Sequence, residues 1–257
     1  MTYAPLDLTG RVAVVVGGTS GIGRAIAHGL AEAGADVVPT SRRMEQVEAT
    51  AREIEDRGRR TLRLTSDVTD PGSLERLLAD TVAGFGKVDV LVNCAGRTLR
   101  VPTLELREKD WADILETNLT GTLRACRVFG AHMVERGWGR IINIASLASF
   151  VALYEVTAYN ASKAGLAALT KSLAVEWARR GVCVNAIAPG VFVTPLNKRI
   201  LEGERGQELL ARTPMKRFGD VRELAGAAVF LASEAASFVT GEVLVVDGGF
   251  LASGVNC

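Results

Sequence analysis

The sequence predicts an α/β fold: one doubly wound domain, with a mostly parallel seven-stranded sheet and helices on both faces. Three observations carry this expectation. Short β-branched runs alternate with longer amphipathic segments through the N-terminal half, the pattern that generates βαβ units. A chain of 257 residues that is 48% hydrophobic has material for one large core without cross-links or metal. No repeat, linker or composition shift divides it, so residues 1–257 are expected to form a single unit.

Strands are read at 11–17 (RVAVVVG), 36–41, 61–66, 88–93 (VDVLVN), 140–146 (RIINIAS), 182–187 and 243–246, from β-branched enrichment bounded by turn residues. Pro39 conflicts locally with the second strand, because proline removes a ladder donor and belongs at an edge or a strand end. The longest helical segments are expected near 108–136 and 154–180, which are rich in helix formers and poor in breakers. The 191–218 stretch differs in texture. There Pro195, Gly203, Gly206 and Pro214 lie among charged residues, which suits a mobile lid over a site.

Charge and cysteine usage exclude several classes. Thirty basic residues against 29 acidic ones leave a formal charge of +1, too little to draw the chain onto nucleic acid or anionic lipid. Cys94, Cys126, Cys183 and Cys257 lack CxxC spacing and read as small core residues rather than a disulfide framework or zinc site. The first residues carry neither a basic nor an apolar leader, and no apolar run approaches the roughly 20 residues of a membrane span. A cytoplasmic protein is expected, with no nucleic-acid or membrane partner. His28 and His132 fall in predicted helices outside zinc-ligand spacing, so no metal is called for.

Directly after the first strand stands Gly17-Gly18-Thr19-Ser20-Gly21-Ile22-Gly23, followed by a helical run. Glycines at 17, 21 and 23 let the backbone turn tightly and approach a pyrophosphate, whose charge faces the positive end of the helix. At the end of the second strand, an acid would hydrogen-bond the ribose hydroxyls of NAD. The chain has Thr40-Ser41-Arg42-Arg43 there. With no carboxylate to repel a 2′-phosphate and guanidinium groups to hold it, NADP(H) is favoured over NAD(H).

Tyr159 and Lys163 lie four residues apart, on one face of a predicted helix. A phenol near pKa 10 is a poor acid or base at neutral pH, and a nearby ammonium is expected to move it toward the working range. Upstream, Ser146 ends the fifth strand, at the carboxyl edge where open α/β sheets bind ligands.

Together the glycine loop, Asn93-Cys94-Ala95-Gly96, Asn118, Ser146, Tyr159-x-x-x-Lys163 and Pro189-Gly190 resemble the short-chain dehydrogenase/reductase family over nearly the whole chain. The resemblance implies a single NAD(P)-binding Rossmann domain that interconverts a ketone and a secondary alcohol. In it, Tyr159 would be the proton donor or acceptor, Ser146 its partner on the substrate oxygen, Lys163 the binder of the nicotinamide ribose and Asn118 the anchor of a proton-relay water. It further implies that Asp67 and Val68 contact adenine, that the 93–96 stretch with Asn93, Ala95 and Gly96 lines the adenosine side, and that Pro189, Gly190 and Thr194 border nicotinamide and pyrophosphate. A homotetramer is implied too. Val16 and Cys94 depart from the family pattern, which usually has Thr and a second Asn there.

Substrate signals point two ways. Arg97 and Arg100 can pair with a carboxylate or phosphate, and this stretch with Thr40-Ser41-Arg42-Arg43 resembles family members acting on sugar acids such as gluconate. Against a small polar substrate, Leu147, Phe150, Val151, Leu153 and Tyr154 make the stretch after Ser146 apolar, which suits a 3-oxoacyl thioester or an aromatic polyketide. From a different class, a non-catalytic NADP(H) sensor is disfavoured by the intact Ser146, Tyr159 and Lys163.

Overall fold

The computed structural model describes residues 3–194 and 197–254; Pro195 and Cys257 lie outside them. Six parallel strands order as β2-β1-β3-β4-β5-β6. They are β1 (Val12–Val16), β2 (Asp36–Thr40), β3 (Val90–Asn93), β4 (Gly139–Ile144), β5 (Val182–Pro189) and β6 (Val243–Val246). Strand order reverses between β1 and β3, and the crevice outside the carboxyl ends at such a reversal is where ligands bind in open α/β sheets.

The alternation of each strand divides the core. Ala13 and Val15 of β1 face one buried cluster with Ile142 and Ile144 of β4, against Ile26 and Leu30 of α1 (Gly21–Glu32) and Leu224 and Leu231 of α9 (Glu223–Ala232). Val14, Val16 and Ile141 face the other. There they meet Leu74 and Leu77 of α3 (Pro71–Phe85), Phe129 and Met133 of α5 (Gly121–Arg136) and Leu173 of α6 (Thr157–Trp177). A strand buried on both faces reads as a continuous apolar run, which is why VAVVV is legible as β1.

The expected strand at 61–66 does not form a ladder. Arg60 accepts from the Val37 amide at 3.1 Å and the Ser66 amide donates to Ser41 at 3.0 Å, so the chain runs beside β2. Pro39 stands between these bonds on the same side of β2, and its missing N–H removes the donor that would join them. Thr40 compensates with its hydroxyl, which donates to the carbonyl of Leu64 at 2.7 Å. Pro39 itself sits inside β2, in register with Val15.

The long helix expected over 108–136 is α4 (Glu108–Leu115) and α5, joined by a single π-helical turn at Glu116–Thr120. That wide turn carries Asn118, fully buried, and π turns often mark functional positions. The helix expected from 154 begins instead at Thr157, because Glu155 holds a left-handed φ of 61°, which α-helix excludes. Two short helices, α7 (Lys198–Leu201) and α8 (Glu204–Arg212), lie in the 191–218 segment; α2 (Met44–Glu55) follows β2.

Candidate active site

Gly17 begins the site. It has φ 80°, and a Cβ there would stand 2.6 Å from the amide nitrogen of Ala95, so glycine is required both by conformation and by space. A Cβ on Gly23 would collide with the carbonyl oxygen of Gly17, which fixes the close packing of loop and helix. At the start of α1, Ser20 makes no side-chain cap and no acidic residue occupies the first turn. The first amides of α1 are thus offered to an anion.

Residues at the far end of this edge fit an adenosine phosphate. Ser41 Oγ is buried with no hydrogen-bond partner, a polar atom that a ligand would satisfy. Arg42 and Arg43 are exposed beside it. Burial pushes the Asp67 carboxyl up, but the Thr69 amide and hydroxyl and the charge of Arg42 bring it below its ordinary value. Arg42 therefore lies in electrostatic reach of the stretch formed by Asp67 and the buried Val68. Thr19 is buried, its hydroxyl 3.4 Å from Gln46 of α2. A dinucleotide phosphate thus finds a cradle, helix amides and an orphaned hydroxyl in the residues present.

A cleft of about 610 Å³ brings together Gly17, Ser20, Gly21 and Ile22 with Ser146, Tyr159 and Lys163, and with Gly96, Pro189, Gly190 and Thr194. A Cβ on Gly21 would meet the Thr194 methyl at 3.5 Å, so the glycine loop and the segment after β5 face each other. Asn93 departs from expectation. Its side chain points into the fold, donating to Asn143 Oδ1 at 2.9 Å and to Cys126 Sγ at 3.4 Å. Ala95 contributes through its backbone, against Gly17. Cys94 lines the cleft, where burial pushes its thiol up to about 11.

Ser146 follows β4 and caps the turn at Leu147–Ser149, its Oγ accepting from the Ala148 amide at 3.1 Å. Lys163, 6% exposed, donates through Nζ to the Ile144 carbonyl at 2.6 Å. Burial lowers its pKa to about 8. Its ammonium stands 5.7 Å from the Tyr159 ring centroid. Burial raises the Tyr159 pKa, a hydrogen bond with Ser146 opposes this, and Cys94 raises it further. Desolvation thus dominates at the phenol, while the Lys163 ammonium is committed to Ile144.

Asn118 is held through its side chain. Its Oδ1 accepts from the Arg97 amide at 2.8 Å, and its Nδ2 donates to the Arg97 carbonyl at 2.9 Å and to Ser162 Oγ at 3.0 Å. The Asn118 side chain thus ties the loop after β3 to α6. Its carbonyl accepts from Thr122 Oγ1 at 2.9 Å.

The substrate side differs from the sequence expectation. Of the apolar stretch after Ser146, Leu147 and Leu153 line the cleft, whereas Phe150, Val151 and Tyr154 are exposed. Arg100 is neutralised by Glu155 at 2.8 Å. Arg97 reaches Asp113 only at 3.8 Å, a carboxylate already held by Lys109 at 2.8 Å. Sequence reasoning missed Arg205 and Leu209, which both line the cleft. Their spacing on one face of α8 was the available signal.

Glycine loop, the Ser146–Tyr159–Lys163 constellation in the cleft and the reversal point define a dinucleotide-dependent oxidoreductase site. A family described as enoyl-(acyl carrier protein) reductase matches residues 16–251. Gluconate 5-dehydrogenase of Gluconobacter oxydans is 39% identical over 248 residues, 96% of this chain and 97% of the relative. The NAD-dependent glycerol dehydrogenase of Listeria innocua is 40% identical over 254 residues, 97% of this chain and 99% of the relative. A crystal structure of gluconate 5-dehydrogenase from Burkholderia cenocepacia in complex with NADP and tartrate superposes with a TM-score of 0.94 at 38% identity, covering 97% of this chain and 98% of that one. The chain belongs to the short-chain dehydrogenase/reductase family and is an oxidoreductase.

Proposed function

We propose that this oxidoreductase interconverts a ketone and a secondary alcohol with NADP(H), and that Ser146, Tyr159, Lys163 and Asn118 carry the reaction. The convergence of Ser146, Tyr159 and Lys163 on one cleft with the glycine loop is the observation on which this rests. The phenol serves as general acid in carbonyl reduction and as general base in the reverse. When bound, the nicotinamide supplies or accepts the hydride. Ser146, whose Oγ accepts from Ala148 and whose hydroxyl is bonded to Tyr159, turns that O–H to the substrate oxygen when substrate binds, and Tyr159 gives that oxygen its proton. Lys163 holds the ribose from the floor of the cleft, and Asn118 anchors the relay water while keeping the loop after β3 fixed against α6.

NADP(H) preference rests on Arg42, Arg43 and the unpartnered Ser41 Oγ, with Gly17 through Gly23, Asp67, Val68, Ala95, Gly96, Pro189, Gly190 and Thr194 completing the cofactor cradle. Relatives divide on this point, one named NAD-dependent and one crystallised with NADP. The 191–218 segment acts as the lid. What supports this is Arg205, which donates to the Tyr154 carbonyl at 3.2 Å and docks α8 on the stretch after Ser146. A small polyhydroxy ketone or sugar acid is the favoured substrate, because two relatives are named for gluconate and three of the five apolar residues after Ser146, Phe150, Val151 and Tyr154, face solvent. A homotetramer in the cytoplasm completes the reading. Val175 and Phe238, 82% and 103% exposed, are apolar groups that subunit contacts would cover.

Fluorescence titration with NADPH and NADH, followed by a panel of β-ketoesters, quinones and keto sugar acids, tests the proposal. Tight NADPH binding with turnover of a ketone supports it; binding of neither cofactor refutes it.

A further inference from the structure

We infer that Arg205 of α8 reads an anionic group on the substrate, a carboxylate or phosphate carried beside the reacting ketone. This inference rests on the reading of the cleft as a ketone site and specifies what else the substrate must carry.

Charge balance points there. Arg97, Arg100, Lys163 and Arg205 line the cleft, and among the described lining residues none is acidic. Clefts lined by one sign of charge with low-dielectric walls concentrate the opposite charge. The four cations are not equivalent. Lys163 is buried on the Ile144 carbonyl, and Arg100 is held by Glu155. Arg97 leans toward Asp113 at 3.8 Å. Arg205 is half-buried, it donates to the neutral Tyr154 carbonyl, and among the described residues no carboxylate lies within ion-pair distance of it.

Its contact with Tyr154 gives its place in the cleft. Tyr154 lies in the stretch that leads from Ser146 into α6, so Arg205 is anchored on the substrate side. Arginine presents five N–H donors in a planar fork. The bond to Tyr154 uses one and leaves others for a bidentate anion. Because Arg205 comes from α8, an anion bound there bridges the 191–218 segment to the floor that carries Ser146 and Tyr159.

Three probes of similar size test this with the intact protein: a keto-hexonate, a ketohexose phosphate and the neutral ketohexose. Arg205→Gln retains an N–H donor for Tyr154 and loses the charge, whereas Arg205→Ala loses both. The wild type is expected to favour at least one anionic probe over the neutral one in kcat/KM, and the two anionic arms identify the group. Arg205→Gln is expected to cut that preference about tenfold or more, through KM, as loss of charge-assisted bonds does. Calorimetric binding of gluconate is expected to weaken in parallel. If Arg205→Gln keeps the preference while Arg205→Ala loses it, Arg205 only pegs the segment down and the inference falls. Equal wild-type turnover of all three probes overturns it while leaving the ketoreductase reading intact. No turnover of any ketone by wild type sinks that reading and this one with it.

Discussion

Lys163 Nζ lies 2.6 Å from the carbonyl oxygen of Ile144, so the ammonium on α6 is joined to the end of β4 just before Ser146. One side chain thereby fixes the helix that carries Tyr159 to the strand that positions Ser146. Ser149 adds a second tie, its hydroxyl donating to the Lys163 carbonyl at 2.7 Å.

Keeping that ammonium buried has a cost that depends on pH. Its folded pKa of about 8 lies below the ordinary 10.5, so between these values the unfolded chain binds a proton that the folded one has released. The Lys163 contribution to stability therefore rises with pH through this window and is least favourable below about 8. In cofactor-free protein, urea unfolding from pH 7.5 to 10 is expected to move the difference between wild type and Lys163→Met in favour of wild type, by on the order of 1–3 kcal/mol. A constant difference would contradict the burial of this charge.

Gly17→Ala places a side chain where φ is 80° and the Ala95 amide is 2.6 Å away. Strain of roughly 1–3 kcal/mol is expected, with NADPH affinity reduced about tenfold or more because the loop must shift away from its cradle. Thermal unfolding and NADPH titration check both effects together.

Removing the charge of Arg42 separates the cofactors. Arg42→Ala is expected to weaken NADPH binding about tenfold, the worth of a charge-assisted bond to the phosphate, and to change NADH binding much less. Paired fluorescence titrations measure the ratio, and an unchanged ratio would return the preference to some other group.

Asn118→Ala leaves the Arg97 amide, the Arg97 carbonyl and Ser162 Oγ without the partner they now share. Destabilisation of about 1–3 kcal/mol is expected. Turnover is expected to fall further than cofactor affinity, since the freed loop borders the substrate side of the cleft.

Sequence and structure agree where a pattern is local. VAVVV, the glycine loop and the spacing of Tyr159 and Lys163 each declare themselves within a few residues, because strand burial, tight turns and helix faces have short periods. The 61–66 run failed as a strand for a reason visible in its neighbour: Pro39 removes the N–H on that side. Other features depend on contacts between distant segments. The commitment of Lys163 to Ile144, the capture of Arg100 by Glu155 and the approach of Arg205 to Tyr154 are set by how the loops fold over one another, which no local period records. Asn93 shows the limit from the other side, since its motif position suggested the cofactor while its side chain is spent on Asn143.

The most direct test of the whole account replaces Tyr159 with Phe and measures NADPH affinity and ketone turnover side by side with wild type. Loss of the proton donor alone predicts NADPH affinity within about twofold of wild type and kcat reduced by roughly 10²–10⁴. Turnover near the wild-type rate in Tyr159→Phe would contradict the assignment of Tyr159 as the acid, and with it the site as described.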